Sequence, residues 1–289
     1  ATASMEKNWT SVAYGDGRYV AASVGTYSVK AENITFDGEQ GIHTYESING
    51  YLNDSDFLTV EGWKTSTITN RRCFIGNVTI DGKVYSDRMI VSPYNKFDVF
   101  PESNVLDVVV NDGEEIIKLE SYADRVLQFK QSTMYIINVS EVDAEFVEDT
   151  HKFRGIINPN HSCWTASGIA WINEHGAFLY DGELVLALTE KADIGRTLSK
   201  DTWESFISKD SIIGYDAISD TLVIKRSAVS GATDETDAFH YDFVAQAWTT
   251  STRKFSTNVN LTNFITRKDG TLIVLQDTEA GDGGQSGGF

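Results

Sequence analysis

The sequence predicts an all-β chain of antiparallel hairpins, and three observations predict it. Asp-Gly dipeptides stand at Asp16-Gly17, Asp37-Gly38, Asp81-Gly82, Asp112-Gly113, Asp181-Gly182 and Asp269-Gly270, usually between stretches rich in Val, Ile, Tyr and Phe. A two-residue Asp-Gly connection supplies the positive φ that a type I′ hairpin turn demands. The composition favours strands, with 12 Tyr, 15 Phe and 6 Trp against only 3 Pro, which suits paired strands better than a disordered chain. The antiparallel units recur about every 40 to 50 residues, the spacing of propeller blades. Across this chain that period gives an antiparallel β-propeller of about six blades, with a sandwich or stacked β domains as the alternative.

Taken in order, residues 9–22 read as strand, tight turn and strand around Asp16-Gly17, and Thr35-Phe36-Asp37-Gly38 closes a second hairpin. Residues 50–70 are polar and poorly periodic, so they are expected to be a connection or an irregular strand, and a sub-boundary within an otherwise single domain of residues 1–280. Strand signals are densest over 71–140: the hairpin around Asp81-Gly82, then 104–110, 115–119, 125–130 and 133–139. Residues 141–149 hold five acids and no base, the pattern of a solvated loop or edge. Strands around glycine turns follow at 164–172, 177–180 and 184–188. At 199–208 the pattern changes, because Ser199 is a candidate cap and Trp203, Phe206 and Ile207 lie at helical spacing. One short helix is predicted there, docked on a sheet by those three side chains. Residues 211–226 form a hairpin turning near Ser219-Asp220, 239–251 another strand pair, and the last pair brackets Asp269-Gly270. The glycine-rich residues 281–289 are expected to be a flexible tail or linker.

Charge and cysteine usage narrow the function. With 42 acidic and 24 basic residues the formal net charge is −18, which opposes tight binding along a phosphate backbone by counterion release. The same charge suits nucleic acid that must slide past without sticking. Cys73 and Cys163 form no C-x-x-C pair, so neither a disulfide framework nor a zinc site is indicated, and buried thiols are expected. No apolar run approaches the roughly 20 residues a membrane span needs. Seven Asn-X-Ser/Thr triplets, the first at Asn8, are read as by-products of an Asn-, Ser- and Thr-rich chain.

Three resemblances sharpen the architecture. Residues 241–248, Tyr-Asp-Phe-Val-Ala-Gln-Ala-Trp, resemble the kelch-type strand pair in which a Tyr-Asp hairpin leads into an inter-blade Trp; Tyr180-Asp181 and Tyr215-Asp216 begin similar units without the Trp. Residues 9–21 resemble the W-x-x-V-A-Y-G-x-G-x-F-V-A blade of sialidase-like propellers and many phage tail proteins, although the Trp expected near Thr35-Phe36-Asp37-Gly38 is absent. The broadest likeness covers about 71–188. Its ordered pieces are D-G-K-V-Y-S-D-R, F-P-E-S-N-V-L-D-V-V-V-N-D-G-E-E-I-I-K-L, R-V-L-Q-F-K-Q-S-T-M-Y-I-I and the run from Gly168 to the Asp181-Gly182 turn. Together they are similar to the β-propeller tail nozzle proteins of short-tailed phages. That resemblance implies a ring of identical subunits, usually six, forming the lower tail tube through which DNA leaves.

The motifs that carry chemistry are each outweighed by a structural reading. Gly284-Gln285-Ser286-Gly287-Gly288 matches a nucleophile elbow in letters, but nothing resembling the required helix follows it. His151, His161, Cys163 and His175 lie close in sequence without a standard zinc spacing. Asp87, Asp98, Asp107 and Glu174 are candidate glycosidase carboxylates, and Arg71, Arg72, Arg88, Arg125 and Arg154 candidate substrate-carboxylate binders. Asn53-Asp54-Ser55-Asp56 with Glu61 offers oxygen ligands for calcium but lacks the EF-hand glycine.

The leading expectation is therefore a virion structural protein, a nozzle, lower-tube or adaptor subunit of a phage tail, with no catalytic residue and no cofactor or metal. Its partners would be identical copies in a homo-hexameric ring, other tail proteins, and DNA that passes without tight binding. The candidate acidic lumen residues are Asp112, Glu114, Glu115, Glu141, Asp143, Glu145, Glu148, Asp149, Asp234, Glu235 and Asp237. The alternatives are a glycan-binding or glycan-cleaving propeller at the tail tip and an accessory propeller that binds another virion protein.

Overall fold

The computed structural model describes residues 8–15, 18–24, 60–97, 99–108, 113–141, 144–191, 195–196, 199–226, 236–252 and 261–276. Its repeating unit is a four-stranded antiparallel meander in which consecutive strands pair, the blade of a β-propeller. The chain divides into two compact units, Ala1–Pro159 and Asn160–Phe289. That division falls well beyond the sub-boundary expected near 50–70.

In the first unit, β1 (Asn8–Gly15) and β2 (Arg18–Val24) form the predicted hairpin. One blade follows from β3 (Val60–Thr69), β4 (Arg72–Ile80), β5 (Lys83–Val91) and β6 (Val105–Leu106), and a second from β7 (Lys118–Tyr122), β8 (Arg125–Phe129), β9 (Thr133–Asn138) and β10 (Phe146–Lys152). The β4–β5 turn has φ of 48° at Asp81 and 72° at Gly82, the two positive values that make Asp-Gly a type I′ turn. Of the predicted strand at 104–110, Val105–Leu106 pair as β6 and residues 109–110 lie outside the described residues, and the one at 115–119 is shifted to Lys118–Tyr122.

Of the stretch expected to be a connection or an irregular strand, residues 50–59 lie outside the described residues, and 60–69 form strand β3, with a register irregularity between Val60 and Gly62. It is a ten-residue strand whose Thr65, Ser66, Thr67 and Thr69 are all buried. Their hydroxyls and the strand's carbonyls serve the neighbouring blade: Thr65 Oγ1 accepts from the Leu119 N–H at 2.8 Å, Ser121 Oγ donates to the Ile68 carbonyl at 3.2 Å, and Thr69 donates to the Ala123 carbonyl. A buried polar strand is stable when its hydroxyls are hydrogen-bonded, and that polarity removed the alternation that marks an ordinary strand. Next to it, β4 is buried on both faces. Phe74 packs with Met89, Leu119, Val126 and Ile137, whereas Cys73 and Ile75 face Val60, Val78, Ile90 and Phe100 on the other side.

The second unit holds one blade of β11 (Ser162–Thr165), β12 (Gly168–Asn173), β13 (Gly176–Tyr180) and β14 (Val185–Ala187), and one of β17 (Ile212–Asp216), β18 (Thr221–Lys225), β19 (Thr236–Asp242) and β20 (Ala247–Thr252). Two-stranded pairs are formed by β15 (Glu190–Lys191) with β16 (Gly195–Arg196) and by β21 (Leu261–Thr266) with β22 (Leu272–Gln276). The predicted helix is α1 (Lys200–Phe206), and Ser199 caps it by accepting from the Thr202 N–H at 3.1 Å. Trp203 and Phe206 are buried on its inner face. Trp203 stacks on Phe239 at 6.1 Å between ring centroids, and its indole N–H donates to the Asn173 carbonyl at 2.8 Å. Trp248 behaves as the inter-blade residue that the kelch-type pattern implies, since its indole N–H reaches from β20 to the Leu188 carbonyl at 2.9 Å. On the other face of this blade, Gly214 admits Phe264: a Cβ at Gly214 would lie 2.5 Å from Phe264 Cβ.

Candidate functional site

The acids expected to line a lumen are, where described, mostly engaged with neighbouring side chains. Asp112, Asp143, Asp234 and Glu235 lie outside the described residues. In the first unit Glu115 precedes β7 and pairs with Lys64 of β3 while accepting from Asn77 Nδ2 of β4 at 2.9 Å. The Lys64 hydrogen bond, helped by Asn77, holds its carboxyl below the usual range against the opposing effect of burial. Glu114 accepts from the Ser132 backbone N–H at 3.1 Å. Glu148, on the edge strand β10, receives the Arg125 guanidinium of β8 through two nitrogens, one at 3.2 Å, and this raises the Arg125 pKa. Asp149 caps the Thr150 N–H at 2.7 Å and lies 3.0 Å from His151 Nε2. Glu141, at the β9–β10 connection, is exposed and has no cation partner among the described residues.

Glu145 makes the most buried of these pairs. Its partner Arg72, on the central strand β4, is only 2% exposed, and the Glu145 side chain 11%. The guanidinium also donates to the Val139 carbonyl at 2.8 Å and lies over the rings of Phe74 and Tyr94 at 5.3 and 5.5 Å. Carboxylate, carbonyl and two aromatic faces thus compensate the desolvation of this cation. The described part of 141–149 is accordingly more than a solvated acidic loop: it runs into β10 and supplies Glu145 to Arg72 of the preceding blade and Glu148 to Arg125 within its own blade.

In the second unit Asp237 is buried on β19, accepts from Ser251 Oγ at 2.8 Å, and opposes the burial that lowers the Lys225 pKa. The three Tyr-Asp dipeptides are turn devices. Asp181 Oδ1 accepts from the N–H groups of Leu184 and Glu183, both at 2.8 Å, which lowers its pKa. Asp242 does the same for Val244 and Ala245 at 2.8 Å, and Asp216 for Ile218 at 3.1 Å. Each carboxylate substitutes for a backbone acceptor and closes the loop. Tyr215 donates to Asp220 at 2.6 Å; burial first, and then that bond, push its pKa up to about 12.

The groups considered for catalysis are dispersed among these roles. Arg88 binds Asp107 in a fork of 3.1 and 3.0 Å, Arg71 lies over Tyr94 at 5.3 Å, Arg72 and Arg125 are held as described, and Arg154 donates to the Phe153 carbonyl at 3.4 Å. Glu174 lies 3.5 Å from His175, on a turn of the second unit. Asp98 and the 53–56 loop lie outside the described residues, as does the Gly284–Gly288 match. His161 is buried in a 3₁₀ turn, His151 has its pKa lowered by burial, and Cys73 and Cys163 are thiols. Among the described residues no three His, Cys, Asp or Glu side chains group as metal ligands, and no helix is long and apolar enough to cross a membrane. Sequence reasoning missed Lys64 and read Arg72 and Arg125 as candidate substrate-carboxylate binders rather than as partners of these acids; the sequence signal for the two arginines is a base on a strand otherwise rich in apolar residues, most visibly Arg72 beside Cys73-Phe74-Ile75.

No family model and no curated protein matches this chain. Among solved structures it is similar to YCF48 bound to D1 peptide, at 9% identity over 77% of this chain and 63% of that one, with a TM-score of 0.44. It is also similar to BamB from Moraxella catarrhalis, at 10% identity over 97% of this chain and 86% of that one, with a TM-score of 0.39. The tricorn protease aligns at 14% identity over 90% of this chain but only 27% of its own, with a TM-score of 0.25. The chain thus spans less than two thirds of the YCF48 structure, and these likenesses concern β architecture rather than any site.

Proposed function

We propose that the chain is a structural subunit of a phage tail, a nozzle, lower-tube or adaptor component that assembles side by side into a ring of about six copies around a DNA channel. The observation that carries this reading is the fate of the charged side chains. Arginines and several carboxylates of the blades hold strands and blades together, a use that is mechanical and calls for no catalytic residue. Each such pair consumes one charge of either sign, so the net charge of −18 persists at the surface and disfavours adhesion of passing DNA. The segments similar to tail nozzle proteins, about 71–188, coincide with β4 through β14, the most continuous run of blade structure. In this reading the protein resides in the virion and contacts other tail proteins above and below it.

The test is native mass spectrometry of the purified chain with negative-stain imaging, followed by a filter assay with duplex DNA. The expected result is a closed ring of about six copies with a central channel and no DNA retention at physiological salt. A monomer at all concentrations that hydrolyses or binds oligosaccharides on an array would overturn the reading in favour of a glycan-directed propeller.

A further inference from the structure

We infer that one end of the second unit is a docking surface for a basic, apolar protein partner. In a four-stranded meander the first and third turns lie at the same end, here the turns at 166–167 and 181–184 in one blade and 217–220 and 243–246 in the next. Contacts within the unit bring these ends together. The Ala166 backbone hydrogen-bonds Tyr215, Thr266 Oγ1 donates to the Tyr215 carbonyl at 2.7 Å, and a Cβ at Gly270, in the β21–β22 turn, would lie 3.4 Å from Ile218.

All the large apolar side chains that the described part of this unit exposes stand at that end. Leu184, Ile218 and Val244 sit in the turns themselves and are 62%, 73% and 82% exposed, while Trp164, Leu186 and Ile265 lie within two residues of a turn. Single exposed aliphatics are ordinary, but six gathered at one end of two blades and a hairpin are not. The first unit offers the contrast: its Val84 and Phe146 follow turns at opposite ends of their blades.

Charge selects the occupant. The same turns carry Asp181, Glu183, Asp216, Asp220, Asp242 and Asp269 against only Arg267 and Lys268. The carboxylates of Asp181, Asp216 and Asp242 are pinned toward their own loops, so the aliphatic tips are held in fixed positions among fixed negative charges. A surface of aliphatic or aromatic groups set among lysines and arginines complements this pattern. A second copy presenting the same end does not, because it would bring acid against acid. The inference goes beyond the ring reading and does not need it, since the surface belongs to one unit of one chain.

The test is fluorescence anisotropy with a labelled amphipathic Lys-Leu peptide, with Glu-Leu and Lys-Ser peptides as comparisons, on the full chain and on L184S/I218S/V244S. The three positions are exposed, so the variant should keep the wild-type melting temperature. The expected result is saturable binding of the Lys-Leu peptide that weakens about thirtyfold in the triple variant, weaker binding of both comparison peptides, and no change in V84S. The inference is overturned if the Lys-Leu peptide does not bind, if the triple variant binds it equally well, or if the Lys-Ser peptide matches it. Loss of self-association in the triple variant would reassign the surface to a second copy, and loss of flotation with phosphatidylcholine vesicles would reassign it to a lipid surface; either result also overturns it.

Discussion

Replacing Glu145 by Leu should destabilise the first unit far more than its place on a partly exposed edge suggests. Arg72 is 2% exposed and Glu145 is its sole carboxylate partner among the described residues. With the carboxylate gone and its volume filled, the guanidinium keeps the Val139 carbonyl and two aromatic faces but no compensating charge. Breaking a buried ion pair from one side costs about 3–5 kcal/mol. The carbonyl and rings retained by Arg72 place E145L near the lower end of that range. The reciprocal R72M strands a carboxylate closer to solvent, while the Val139 carbonyl keeps the Asn70 Nδ2 donor at 3.0 Å, so it should cost less than E145L. The double variant R72M/E145L removes both charges and should return to within about 2 kcal/mol of wild type, as apolar replacements of buried pairs commonly do. Urea unfolding followed by circular dichroism, with the slope checked for constancy, gives all corners of the cycle. A cost below about 1 kcal/mol for E145L, or single costs that simply add in the double variant, would refute the claim that this pair is buried and coupled.

Other consequences follow from the second unit. Trp203→Ala should cost about 3–5 kcal/mol through the cavity beside Phe239, whereas Trp203→Phe should lose chiefly the hydrogen bond to Asn173, about 1–3 kcal/mol; equal denaturation midpoints for the two would contradict this. Gly214→Ala should lower stability by about 1–3 kcal/mol because its Cβ meets Phe264, a shift readable in a thermal melt. The Tyr215 proton is held in the folded state up to about 12, against an ordinary value of 10.0. Its contribution to stability is therefore fully present below pH 10 and is lost as pH rises through the folded value. An ultraviolet difference titration of wild type against Y215F should show one tyrosinate forming late; its appearance near pH 10 would count against the Asp220 contact.

The fold was legible where structure is encoded within a few residues. The Asp81-Gly82 turn is set by the positive φ of its own two residues, and the Ser199 cap and the Tyr-Asp loops by side chains acting on backbone two or three positions away; the turn and the cap were readable from local sequence, and the Tyr-Asp units from their resemblance to kelch-type strand pairs. Trp203 and Phe206 were readable because helical periodicity places them together. Strand β3 was only partly legible, since Thr65 and Thr69 are satisfied by a blade that begins some fifty residues later. Polarity there reports a partner that sequence distance conceals, and the same residues read in isolation suggest a connection or an irregular strand. The division after Pro159 was likewise invisible, because blade-like signals continue on both sides of it.

The acidic residues obey the same distinction, and it separates their roles by experiment. The sequence identifies Glu141 and Glu145 equally as acids of one run, yet Arg72 lies 73 positions from Glu145 and binds it, while Glu141 is exposed. A carboxylate held in a buried pair adds little to the field a passing polyanion meets, because its partner cancels it at short range; an unpaired exposed one acts at full strength within a Debye length, about 8 Å at physiological salt. Charge reversal should therefore divide the set. E141K should leave the melting temperature unchanged and, if the carboxylate borders the DNA path, raise DNA retention by the assembled protein with a steep salt dependence. E145K places a second cation against Arg72 and should destabilise the first unit at any salt concentration, since the buried charges are poorly screened. Retention that rises with E145K but not with E141K, in protein that melts normally, would show the assignment to be inverted and the pair at Arg72 to be dispensable.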